Sequence, residues 1–213
     1  TFRHLFQVEY AQETVKKGSS VIAIRGKDCV NRKIFNIDEH VMLGFAGLTA
    51  DARVLIDAAR VEYQNHRLNL EDPVTVGYIA RFIANIKQRY TQSPGRRPFG
   101  LSLLIDGFDY DGTPRLFKTK PSGAYYEYLA SSTGRREKPI REYLEEHYKD
   151  DNIKDEDSIL KLDFRSLSQV VQSGAQNIEI SVMKIGKTRK LGDEEVEALL
   201  KVVEDERVAA EAE

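Results

Sequence analysis

Tryptophan is absent from these 213 residues, methionine occurs twice and cysteine once, as Cys29. A lone cysteine closes no intrachain disulfide, so a small crosslinked secreted scaffold is excluded and a reducing compartment is expected. Long hydrophobic runs are missing as well: none approaches the roughly 18 residues of a membrane-spanning helix. The opening residues lack the charged-then-apolar order of a signal peptide, so neither membrane contact nor export by that route is expected. Charge of one sign is not in excess, since 32 Lys and Arg face 34 Asp and Glu for a formal net charge of −2. Nucleic-acid affinity depends on clustered cations. The two arginine pairs, Arg96-Arg97 and Arg135-Arg136, come without a stacking pattern of aromatics and are read as solvated loop or helix-end charges. No nucleic-acid partner is expected. His4, His40, His66 and His147 stand at unrelated spacings with no cysteine or carboxylate cluster, so neither a metal site nor a cofactor is expected.

Several short patterns resemble catalytic motifs and fail on their spacing. Gly186-Lys187-Thr188 follows a strand, but a phosphate-binding loop needs a glycine where Ser181 stands. Ser158-Ile159-Leu160-Lys161 and Ser181-Val182-Met183-Lys184 match a serine–lysine spacing without its companion elements, and are read as helix capping and strand alternation. Gly100-Leu101-Ser102 opens like a nucleophile elbow, yet Leu104 occupies the second glycine position inside an apolar strand.

The length suits one domain, 1–213. Strands are predicted at Ser20 to Ile24, Val41 to Phe45, Leu101 to Phe108, Arg115 to Thr119 and Ile178 to Met183, the last with Glu179 and Ser181 on a wet face. The Asp109-Tyr110-Asp111-Gly112 segment is a hairpin signal. A helix is predicted from Asp72 as cap and Pro73 at its first position, with Val76, Ile79, Ile83, Ile86 and Tyr90 on one stripe. Before it, Ala50 to His66 carries Val54, Leu55, Ala58 and Ala59 and is expected to run antiparallel to it. Further helices fit Pro139 to Tyr148, then Ser158 to Gln172 with its stop at Gly174. A final acidic helix, about 193–213, buries Val196, Leu199, Leu200 and Val203. Strand runs separated by helix pairs imply two packed sheets between helix layers.

The opening stretch His4-Leu5-Phe6-Gln7-Val8-Glu9-Tyr10-Ala11 forms, with Val15, an amphipathic helix of about residues 5–17. It is closed by Lys16-Lys17-Gly18 and followed at once by Ser19-Ser20-Val21-Ile22-Ala23-Ile24. Thr1 raises one catalytic alternative, because an N-terminal threonine can use its own α-amine as base for its hydroxyl, as in an active threonine protease. Such a nucleophile must open a strand, whereas Thr1 precedes a helical segment, so no catalytic residue is assigned.

That opening stretch resembles the N-terminal signature of α-type proteasome subunits. So do Gly44-Phe45-Ala46-Gly47-Leu48-Thr49-Ala50-Asp51-Ala52-Arg53, Glu71-Asp72-Pro73-Val74-Thr75-Val76, Gln88-Arg89-Tyr90-Thr91-Gln92-Ser93 and Gly95-Arg96-Arg97-Pro98-Phe99-Gly100. Pro121-Ser122-Gly123, Gly134-Arg135 and the run from Val170 to Glu179 extend the match across the chain, nearest to the α4 type. The resemblance implies an α+β fold, the four-layer αββα sandwich of N-terminal-nucleophile hydrolases, with an α-subunit N-terminal helix. It implies a non-catalytic ring subunit of the 20S core particle, in cytoplasm and nucleus, serving ubiquitin-dependent and other protein degradation. The implied partners are other α subunits, β subunits, a regulatory particle or other activators, and unfolded protein substrates in transit.

Where catalytic relatives place their nucleophile, this chain has Ser19 or Ser20 in mid-chain, whose peptide nitrogen accepts no proton. The resemblance assigns Lys33 and Gly18 to activator docking, and Leu5, Phe6, Val8, Glu9 and Tyr10 to ring contact and support of the gate. Two elements of the family pattern are not in this sequence: the Ser-Pro-Asp-Gly turn ahead of His4, and a strand and loop between Val30 and Lys33. Without that strand an unpaired sheet edge is expected.

Overall fold

Two five-stranded antiparallel sheets lie face to face because the strands Val21–Arg25, Val41–Gly47 and Leu101–Phe108 bury apolar side chains on both faces. The computed structural model describes residues 2–26, 29–31, 34–70, 72–148, 156–168 and 179–211. In chain order these form α1 (Phe2–Lys17), β1 (Val21–Arg25), β2 (Cys29–Asn31), β3 (Ile34–Asp38), β4 (Val41–Gly47), α2 (Thr49–Leu70) and α3 (Val76–Gln92). Then come β5 (Leu101–Phe108), β6 (Pro114–Thr119), β7 (Tyr125–Glu127), β8 (Ala130–Thr133), α4 (Glu137–His147), α5 (Glu156–Ser168), β9 (Ser181–Lys184), β10 (Lys187–Lys190) and α6 (Asp193–Glu211). One sheet runs β10-β9-β2-β1-β8 and the other β3-β4-β5-β6-β7.

The period of two along each strand sorts side chains into layers. On β1, Ile22 and Ile24 join Ile140, Leu144, Phe164 and Val196 of α4, α5 and α6. Val21 and Ala23 face the other way and meet Ala46, Leu104 and Leu116 between the sheets. Leu43, Phe45, Leu103 and Ile105 pack outward against Leu55, Ile56, Ile79 and Ile83 of α2 and α3. The result is the expected αββα order, each fully buried aliphatic side chain contributing roughly 1.5–3 kcal/mol relative to exposure. Tyr78 on α3 donates to Glu62 on α2 at 2.6 Å, which sets the first turn of α3 beside the later turns of α2 as an antiparallel pair requires.

Several sequence expectations are corrected. The cap of α3 is Thr75, whose hydroxyl accepts from the Tyr78 N–H, and Asp109 accepts from the Val76 N–H at 2.9 Å. Asp72 and Pro73 lie ahead of the helix, which the long-range cap from Asp109 delays. Val54 is exposed while Leu55 and Ala59 are buried, because the stripe that α2 turns to the sheet runs through Leu55, Ile56 and Ala59. Ser158 is the third residue of α5 and not its cap. Ser181 is buried, not wet: it shares a face with Met183, which packs against Met42 and Phe108 between the sheets. The expected end of α5 at Gln172 and Gly174 lies outside the described residues, as does Ile178.

The hairpin between β5 and β6 follows its signal. Gly112 takes φ 79° after a turn closed by its N–H to the Asp109 carbonyl, a conformation that glycine accepts without steric cost. Strand β2 hydrogen-bonds β1 on one side and β9 on the other, so the sheet has no unpaired edge there.

Candidate functional site

The end of the sandwich where the chain enters β1 is built by α1 and two glycine contacts. Ala11 and Val15 of α1 are buried, Val8 is half-buried, and Val15 joins the cluster between the sheets, so α1 closes that end. Its opposite face leaves Phe6 55 % and Tyr10 71 % exposed, one turn apart, with Glu9 exposed beside them. The side chain of Leu5 lies outside the description.

At the helix end the Gly18 N–H donates to the Val15 carbonyl at 2.9 Å. A Cβ on Gly18 would lie 2.6 Å from the Gly47 nitrogen. On the other side, a Cβ on Gly134 would lie 2.2 Å from the Ser19 carbonyl oxygen. The Arg135 N–H donates to the Gly18 carbonyl at 3.1 Å, and the Ser20 hydroxyl donates to the Arg135 carbonyl at 2.6 Å. The α1–β1 junction is thus clamped between the end of β4 and the loop after β8.

A second clamp stands beside it. Arg97 donates to both oxygens of Asp51 at 2.7 Å, and the Gly100 N–H donates to the same carboxylate at 2.9 Å. Burial opposes ionisation of Asp51, but the hydrogen bonds from Arg97 and Gly100 outweigh it and hold the carboxyl below its ordinary range. Leu48, which follows Gly47, bonds the Gly100 carbonyl, so the clamp holds the strand end against which Gly18 packs. Arg97 is therefore an ion-pair partner and not only a solvated charge, while Arg96 lies over the Tyr90 ring at 4.8 Å.

Chemically the junction cannot perform N-terminal nucleophile catalysis. That reaction needs a free α-amine beside the hydroxyl. The nitrogen of Ser20 is a peptide amide and its hydroxyl is engaged by the Arg135 carbonyl. Among the described residues no group of His, Cys, Asp and Glu could hold a metal ion, and no helix is long and apolar enough to cross a membrane.

The predicted site residues are not brought to one place. Phe6, Val8, Glu9 and Tyr10 occupy the earlier turns of α1, and Gly18 lies roughly 12 to 18 Å further along the axis at 1.5 Å per residue. Lys33 and Thr1 lie outside the described residues. Sequence reading missed Gly47, Gly134, Asp51 and Arg97 as the groups that fix the junction, since each acts across a long separation along the chain.

Comparison with known proteins identifies the class. The proteasome subunit family matches residues 30–183, and the chain belongs to that family. It is 64% identical to proteasome subunit alpha type-7 of Caenorhabditis elegans, across 99% of this chain and 91% of that protein. It is 50% identical to alpha type-7-1 of Drosophila melanogaster, across 96% and 89%. It is 51% identical to alpha type-8 of Mus musculus, across 99% and 90%. Within the family it is an α-type subunit.

Proposed function

We propose that the chain occupies the α ring of the 20S proteasome core particle as a structural, non-catalytic subunit, with the outer face of α1 as a ring contact that supports the gate for substrates. The carrying observation is the closed α1–β1 junction: α1 seals the end of the sandwich where a catalytic subunit needs a free amine, and leaves Phe6 and Tyr10 outside. Aromatic side chains of that kind supply large contact area when a partner covers them. Other proteasome subunits are the partners that membership of the family entails.

The relatives compared carry the type designations 7 and 8, which do not by themselves support the α4 type expected from sequence; an α type-7 subunit is the finer assignment proposed here. Activator docking through Lys33 and Gly18, passage of unfolded substrates, and residence in cytoplasm and nucleus belong to the same proposal, resting on the resemblance of the sequence. Purification through an affinity tag on this chain, followed by native mass measurement, tests the reading. A particle containing other α and β subunits is expected, and a tagged chain recovered only as a monomer contradicts it.

A further inference from the structure

The loop after α3 carries chemistry that the ring role does not use. Ser93 is followed by Pro94, and Arg96 stands three residues on, in Ser93-Pro94-Gly95-Arg96-Arg97. A serine before proline with a cation at that distance is what proline-directed protein kinases select. Only one other hydroxyl residue in the chain precedes a proline, Thr113, and Leu116 occupies the position three residues after it.

The structure presents Ser93 suitably for such an enzyme. It is the residue at which α3 stops, with extended φ −80° and ψ 127°. Pro94, Gly95, Arg96 and Arg97 are all exposed, and Ser93 itself is half-buried. The turn that follows has proline second and glycine third with φ 74°, the pattern of a type II turn, closed only by a 3.4 Å bond from the Arg96 N–H to the Ser93 carbonyl. Opening so weak a turn exposes the segment without disturbing a strand.

The surroundings also suit the product. The Ser93 hydroxyl donates to the Arg89 carbonyl at 2.8 Å, so it sits at the carbonyl end of the helix, where a phosphate alone is unfavourable. Arg89 lies one turn back and Arg96 three residues on, both exposed, and neither is used by an ion pair among the described residues. Arg89, four residues before Ser93, and Arg96, three residues after it with its guanidinium over the Tyr90 ring, are the cations that would swing to give a phosphate dianion the charge-assisted hydrogen bonds it requires.

We propose that Ser93 is a phosphorylation site for a proline-directed kinase, its phosphate held by Arg89 and Arg96. The Ser93 oxygen forms the new bond to the γ-phosphorus of a nucleoside triphosphate. The bond to the β,γ-bridging oxygen breaks, its electron pair leaves on the nucleoside diphosphate, and the hydroxyl proton passes to a carboxylate of the kinase.

The test incubates the full chain with a purified proline-directed kinase and magnesium ATP, and maps phosphate by mass spectrometry. Label at Ser93 is expected, absent from Ser93→Ala and retained as phosphothreonine in Ser93→Thr. Pro94→Ala is expected to slow labelling by at least about tenfold, as loss of a specificity contact does, with helix content unchanged by circular dichroism. Ser93 left unlabelled in the wild-type chain, or labelled equally fast in Pro94→Ala, overturns the proposal, as does label confined to Thr113.

Discussion

Gly18 and Gly47 approach so closely that a Cβ on the first would lie 2.6 Å from the backbone nitrogen of the second. No side-chain motion relieves such a contact, because a Cβ is fixed by its own backbone and the atom it meets is backbone. Gly18→Ala is therefore expected to lower stability by about 1–3 kcal/mol, the usual range for overpacking, and to loosen α1 from the end of β4. Thermal unfolding of the variant checks this; an unchanged midpoint with unchanged α1 protection from hydrogen exchange contradicts it.

Phe6 is expected to matter for assembly and not for folding. It is more than half exposed, so Phe6→Asp should change monomer stability by no more than about 0.5 kcal/mol. Covered by a ring neighbour, it is worth about 2 kcal/mol or more as a buried aromatic anchor. Sedimentation is the measurement: folded variant outside the ring is the expected outcome, and intact particles containing the variant count against it.

Asp51 gives a pH dependence of known sign. Its carboxyl ionises more readily in the folded chain, so it contributes stability that is complete above the unfolded carboxylate range and is lost as pH falls through the lowered folded value. Asp51→Asn should remove that acid-sensitive part. The loss at neutral pH is about 1–3 kcal/mol for a charged hydrogen-bond network, reduced because Arg97 is solvent-screened. Denaturant unfolding of both proteins across the acid range measures the difference, and parallel curves contradict the assignment.

Lys87 has the opposite chemistry with the same slope. It is fully buried on α3, its ammonium donating to Thr119 Oγ1 at 2.8 Å, the Leu101 carbonyl at 3.2 Å and the Thr119 carbonyl at 3.4 Å. Burial pushes its ammonium well below the lysine range. Between that lowered value and the unfolded value of about 10.4, the unfolded chain binds more protons, so stability rises with pH. Lys87→Met should flatten the rise, and an unaltered pH slope in equilibrium unfolding contradicts this.

The sequence past Val203 offers the last turns of α6 little apolar surface with which to pack. Val203 is the last residue of α6 described as buried, and the sequence beyond it is Glu, Asp, Arg and Ala with Val208 alone. Truncation after Glu204 is expected to leave particle yield unchanged, and a large loss of assembled particle shows a contact made by the tail.

What the sequence disclosed follows from which forces are local. The stripe through Ala11 and Val15, the Lys16-Lys17-Gly18 stop and the double-sided apolar run of Leu101–Phe108 are written in neighbouring residues, and each forms as predicted. The three residues of β7 are all exposed, and β10 reads Lys-Thr-Arg-Lys, so neither carries an apolar alternation that could reveal a strand. Ser181 misled because its polarity signals water, while the facing sheet decides its burial. The clamp of the candidate site was hidden for a related reason: Asp51 and Arg97 are 46 residues apart, and Gly134 meets Ser19 only once β8 has paired with β1.

As a non-catalytic α-type subunit, this chain brings no nucleophile of its own to the particle. Core particle purified through the chain and treated with an epoxyketone, which bonds to an N-terminal threonine through both its amine and its hydroxyl, gives the most direct measurement when the intact mass of each subunit is read. Adducts on other subunits and an unmodified mass for this one are expected. An inhibitor adduct on this chain contradicts its non-catalytic role.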